Sequence, residues 1–146
     1  MNKLRQRTLM REVVFITIYQ LDYGIDMADL KAFLRRESIR AGLNSENRDR
    51  AVKYFDDIVM LRDSIDEVVK IHLDNWDFHR LSSIDRNVMR LGAYELIYVG
   101  DVPVEVTLDE SVEIAKKFGT GRGGRFVNGV LNRIAAKNVP AVKRNL

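Results

Sequence analysis

Residues 82–100 read SSIDRNVMRLGAYELIYVG, and the reading of this stretch decides the fold. Ile84, Val88, Leu91, Tyr94 and Tyr98 recur every three or four residues, the spacing of one face of an α-helix. Met89, Leu96 and Ile97 add apolar surface on other sides, so this helix is expected to be central. Ser82 or Ser83 supplies a start, and Asp101-Val102-Pro103 breaks the run.

Working outward, the same period recurs. Leu9, Val13, Ile16 and Gln20 mark a first helix over about 4–21, closed by Asp22-Tyr23-Gly24. Asp26 caps a second, carrying Leu30, Phe33 and Leu34, which stops near Ala41-Gly42. Asn44 or Ser45 caps a long third helix with Val52, Phe55, Ile58, Val59, Ile65, Val68, Val69 and His72 on its face, ending around Leu73 before Asn75-Trp76. After Pro103, Thr107-Leu108-Asp109-Glu110 reads as a capping box opening a fifth helix to about Phe118. A glycine-rich loop follows, then a sixth helix with Phe126, Val127, Val130, Leu131 and Ile134 that stops before Pro140. Alternating β-branched residues are scarce and no repeat is visible. The expectation is all-α, a compact bundle of about six to seven helices, with a flexible basic tail over 140–146.

The 146 residues suit one domain. Hydrophobic residues at 46% supply a core, and charged residues at 31% supply a soluble surface. The chain has no cysteine, which removes disulfides, thiolate zinc sites and cysteine nucleophiles together. No apolar leader core and no long uncharged run is present, so a cytoplasmic protein off the membrane is expected. The net charge of +3 hides a segregation. Residues 1–11 carry Lys3, Arg5, Arg7 and Arg11 and no acid, and residues 116–146 carry eight bases and no acid. Residues 56–77 hold seven acids, and 100–113 hold acids only. Two basic ends that met would attract a polyanion; two solvated termini would explain the charge equally well.

Residues 118–128, FGTGRGGRFVN, contain a G-x-G-x-x-G match from Gly119 to Gly124. A dinucleotide site needs a strand before those glycines and an acid about 20 residues after them. Here a helix precedes, and no acid follows Glu113. No metal site is expected either: His72 and His79 lie seven apart without further nitrogen or sulfur ligands, and His72 reads as a packing residue near Trp76. Asp56-Asp57 and Asp109-Glu110 fit helix surfaces or helix starts. No catalytic residue and no cofactor is expected. The loop suits another task. Glycines admit close approach of a phosphate, Arg122 and Arg125 add charge and planar surfaces, and Phe118 and Phe126 bracket them, as single-stranded RNA recognition uses aromatics. Both phenylalanines fit a core role as well.

Several motifs then agree. Trp76 … Arg80-Leu81 … Ile84-Asp85-Arg86-Asn87-Val88 … Arg90-Leu91-Gly92-Ala93-Tyr94-Glu95-Leu96 resembles the transcription antitermination factor NusB family. So do Asp101-Val102-Pro103-Val104-Glu105-Val106-Thr107, Glu113-Ile114-Ala115-Lys116 before Phe118-Gly119, and Arg125-Phe126-Val127-Asn128-Gly129-Val130-Leu131. The match runs in order from about Arg5 to Ile134. The resemblance implies two small helical subdomains, about 1–75 and 76–139. It implies binding of single-stranded boxA RNA from ribosomal RNA leaders, together with NusE, the ribosomal protein uS10. The pair would join RNA polymerase with NusA and NusG, without catalysis. Carried over, the RNA surface comprises Lys3, Arg5, Arg7, Arg11 and Tyr19 at the first helix, and Phe118, Arg122, Arg125 and Phe126 around the loop. Asp85 matches a position facing NusE. Where the family commonly has polar or acidic residues, this loop has Thr-Gly-Arg-Gly-Gly, so added phosphate attraction is expected.

Two other classes compete. A similar helical domain is fused to some ribosomal RNA cytosine methyltransferases, but a chain of this length without cysteine is not expected to be one. A helical protein-interaction scaffold without RNA specificity is the alternative. A homodimer of the free chain is left open.

Overall fold

The computed structural model describes residues 1–74, 76–120 and 122–146. Asn75 and Gly121, the latter inside the glycine fingerprint, lie outside the described residues. Six α-helices and no strand occur among the described residues: α1 Lys3–Tyr19, α2 Met27–Arg40, α3 Ser45–Ile71, α4 Ser83–Tyr98, α5 Val104–Phe118 and α6 Gly123–Asn138. The all-α expectation holds. Short 3-10 turns cover Gln20–Tyr23, Phe78–Arg80 and Lys143–Asn145. No described helix is long and apolar enough to cross a membrane. The chain divides into two compact units, residues 1–60 and 61–146, and the division falls within α3.

In the first unit, Asn2 caps α1 by accepting from the Arg5 amide, and Asp26 caps α2 by accepting from Ala28. The buried apolar residues of α1 are Met10, Val13, Val14, Phe15 and Ile18, so its inner face is rotated from the expected Leu9–Ile16 stripe. Leu30 and Leu34 of α2 and Ala51, Tyr54, Phe55 and Ile58 of α3 complete this core, while Val52 is exposed. The end of α2 is a paired-bond cap: Leu43 N donates to Ser38 O and Gly42 N to Ile39 O. It needs the left-handed φ of 79° at Gly42, which glycine adopts at little cost. Gln6 ties this turn to α1. Its amide donates to Gly42 O at 2.9 Å and its carbonyl accepts from Asn44 N at 3.0 Å. Asn44 also caps α3 by accepting from Asn47 N.

In the second unit α4 is central, as its apolar residues on several sides require. Every residue from Asn87 to Leu96 is buried, and the helix packs on both α5 and α6. Gly92 lets the three meet: a Cβ there would lie 2.6 Å from Leu131 and 3.0 Å from Ser111. Arg90, buried in the same helix, is fully used. Its guanidinium donates to both Asp66 oxygens at 2.7 and 2.9 Å and to Asn87, and it lies over the Phe78 ring.

Two expectations are corrected here. The capping box at 107–110 does not open α5, which starts at Val104 with Pro103 as its cap residue and no side-chain cap. Thr107 instead donates to the buried Glu95 carboxylate of α4 at 2.6 Å, a tertiary bond stronger than a local cap. Nor are Gly123 and Gly124 loop residues: both are buried in the first turn of α6. Beyond Pro140, Lys143 is buried and its ammonium donates to Glu95 O and Val99 O at the end of α4.

Candidate nucleic-acid interface

The residues singled out from sequence fall in both units, and each set is taken by itself. In the first unit, Lys3 and Arg5 project from the first turn of α1 and are exposed. Arg7 is half-buried and reaches Glu46 at 3.5 Å. Arg11, one turn further on the same face, is only 3% exposed. It therefore does not offer its guanidinium to solvent; its position leads into the buried Phe15 and Ile18. Tyr19 ends the helix half-buried, stacked obliquely on Tyr23 at 5.3 Å with the two hydroxyls 3.1 Å apart. That hydrogen bond, with burial and nearby acidic groups behind it, raises the Tyr19 phenol above its ordinary value.

In the second unit, α5 delivers Phe118 at its C-terminal end, half-buried, with the Lys117 ammonium 5.5 Å from the ring. Arg122 stands at the cap position of α6 and makes no side-chain cap bond. Arg122 and Arg125 are both exposed, and Phe126 between that turn and the buried Val127 is half-buried. A groove of about 750 Å³ runs between α5 and α6, lined by Asp109, Glu113 and Lys116 from one helix and Gly124 and Arg125 from the other. Its mixed charge gives a polyanion no continuous track. The cationic surface is the first turn of α6 itself.

The N-terminus of α6 is not an empty anion site. The Asp85 carboxylate of α4 sits against it: a Cβ on Gly123 would lie 2.8 Å from Asp85 Oδ1. A side chain at Gly123 would push the Asp85 carboxylate aside. Asp85 also belongs to a Ser-x-x-Asp cap, since its amide donates to Ser82 Oγ at 3.1 Å. Burial raises its carboxyl above the ordinary range, against a smaller lowering by Ser82. An acid in this place competes with a phosphate for the same helix dipole. Anion contacts are thereby left to the arginine side chains.

Trp76 was not among the expected site residues. It is 61% exposed, and its ring packs on Phe126 with centroids 5.5 Å apart at 50°. A lone tryptophan between Asn75 and Asp77 carried no periodic signal; only the fold brings it beside α6. His72 is buried with Nδ1 2.8 Å from Val68 O, a packing role, while His79 is exposed. Among the described residues, no group of three or more acidic or histidine side chains could hold a metal ion.

Comparison with known proteins shows the family. The NusB family model matches residues 8–136. A transcription antitermination protein NusB from Pseudothermotoga lettingae is 42% identical, over 97% of this chain and 99% of that protein. A solved T. maritima NusB superposes with a TM-score of 0.88 at 37% identity, covering both chains completely. A crystal structure of the antitermination factors NusB and NusE in complex with double-stranded RNA matches with a TM-score of 0.79 at 28% identity, over 90% of this chain and 97% of that one. The chain belongs to the NusB family.

Proposed function

We propose that the chain is a transcription antitermination factor that binds single-stranded boxA RNA of ribosomal RNA leaders together with NusE, and that the pair joins RNA polymerase with NusA and NusG. The observation that carries this reading is the stretch from the end of α5 into the first turn of α6, where exposed Arg122 and Arg125 and the half-buried Phe118 and Phe126 follow one another along the chain. Guanidinium groups meet phosphates, and rings accept bases, a combination suited to unpaired RNA. Membership of a family with a member solved beside NusE and RNA supports it. That RNA is a duplex; a single strand is proposed here because only unpaired bases can stack on side chains. In the first unit Lys3, Arg5, Arg7 and Tyr19 would add contacts, and Arg11 would act from beneath them as packing. Asp85 would reach NusE only through its solvent-facing part. No step in this function breaks a covalent bond.

The test is fluorescence anisotropy with a boxA RNA and a scrambled RNA of equal length, at fixed salt, with and without NusE. Preference for boxA that sharpens with NusE is expected. Equal affinities under both conditions would leave only a protein-interaction scaffold.

A further inference from the structure

We infer that Trp76 and Phe126 together form a stacking platform for one unpaired nucleobase of a single-stranded RNA, with Trp76 as its outer surface. The inference rests on the RNA-binding reading above and adds to it a residue and a ligand class. Trp76 is the only tryptophan in the chain and is 61% exposed, although large aromatics normally hide most of their surface. It is nonetheless held in place. Its ring leans on Phe126 at 5.5 Å, and Phe126 is fixed to α6 next to the buried Val127. A ring oriented in advance loses little freedom when a base lands on it.

The surroundings select the occupant. An apolar protein partner wants a contiguous apolar patch. Trp76 stands instead among exposed polar residues: Asp74, Asp77, His79 and Arg80 along the chain, and Arg125 next to Phe126. The two acids are engaged locally. Asp74 lies 3.9 Å from the Arg133 guanidinium, and Asp77 accepts from the His79 amide at 2.9 Å. Arg122 and Arg125 flank Phe126 in one helical turn, and residues 116–146 contain no acid. A π-face edged by exposed arginines fits a base and its own phosphate.

Because Trp76 is the sole tryptophan, its emission reports the contact directly. Labelled boxA RNA with NusE, followed by anisotropy, sets the binding conditions. Tryptophan emission is then read under the same conditions, with the Trp76→Phe protein plus NusE as the blank. Quenching that tracks the anisotropy curve is expected, and one abasic position in the RNA should abolish it. Trp76→Ala should weaken binding by roughly 5- to 150-fold, the range for loss of one base stack, while Trp76→Phe keeps most of the affinity. Binding without quenching, or quenching that survives an abasic residue at every position, would overturn the platform and leave the RNA-binding reading intact. Absence of any RNA binding in anisotropy would overturn both. NusE with the RNA alone serves as a second blank, so a misfolded substitution does not obscure the answer.

Discussion

Replacing Arg122 and Arg125 together by alanine should flatten the salt dependence of RNA binding. Both guanidinium groups are exposed, and neither has an ion-pair partner among the described residues, so each is available to one phosphate. Each phosphate contact with a single strand contributes roughly 0.7 to the slope of log affinity against log salt. Two contacts give about 1.4. A fourfold rise in salt, from about 50 to about 200 mM, would then cost the wild type roughly sevenfold more affinity than the double variant. Folding should be little disturbed, because exposed substitutions of this kind stay within about 0.5 kcal/mol. The assay is anisotropy at four salt concentrations, with thermal melting by circular dichroism as the control. An unchanged slope would refute the reasoning, as would a loss of affinity that is the same at every salt concentration. Either result would mean that the arginines do not meet phosphates.

Three predictions concern the scaffold. Asp66→Ala should destabilise the chain by about 3–5 kcal/mol in urea unfolding, because it leaves the Arg90 guanidinium buried without its bidentate partner; a cost below about 1 kcal/mol would contradict the pairing. Thr107→Val keeps the volume but takes a donor from the buried Glu95 carboxylate, so a loss of roughly 1.5–3 kcal/mol is expected, and a neutral result would remove this bond from the account. Burial raises the Asp85 carboxyl, so the folded state binds more protons than the unfolded state between the ordinary value of 3.8 and the raised one. Its contribution to stability is therefore present at the acid end and is lost as pH rises through that window. Asp85→Asn should remove this part of the pH dependence; identical stability profiles for the two proteins from mildly acid to neutral pH would show that Asp85 is not shifted.

Much of the fold is legible in the sequence where local and tertiary forces agree. The run from Val88 to Leu96 is apolar on several sides, and the helix is buried there. Asp26, Asn44 and Ser82 cap helices by accepting from backbone amides two or three residues on, bonds that are local in sequence. The misreadings have one physical source, partners that are distant in sequence. Thr107 fits a capping box, but its hydroxyl is taken by Glu95 twelve residues earlier. Gly123 and Gly124 look like loop residues, yet a side chain at Gly123 would collide with Asp85, so the glycine belongs to a helix contact. Arg11 has the spacing of a surface cation and lies 3% exposed, and Lys143, in an expected tail, is 2% exposed with two carbonyl partners. Composition cannot distinguish such cations from solvated ones. Of the candidate interface, the arginines and phenylalanines at 118–126 were legible as a basic, aromatic cluster. Trp76 was not, because its neighbour Phe126 is fifty residues away.

Transcription itself tests the central claim most directly. A purified system would contain RNA polymerase, NusA, NusG, NusE and a template with boxA upstream of a terminator, and read-through would be measured with and without this chain. The account predicts increased read-through on the boxA template and little on one with boxA scrambled. Equal read-through on both templates, or no response to the chain on either, would contradict it.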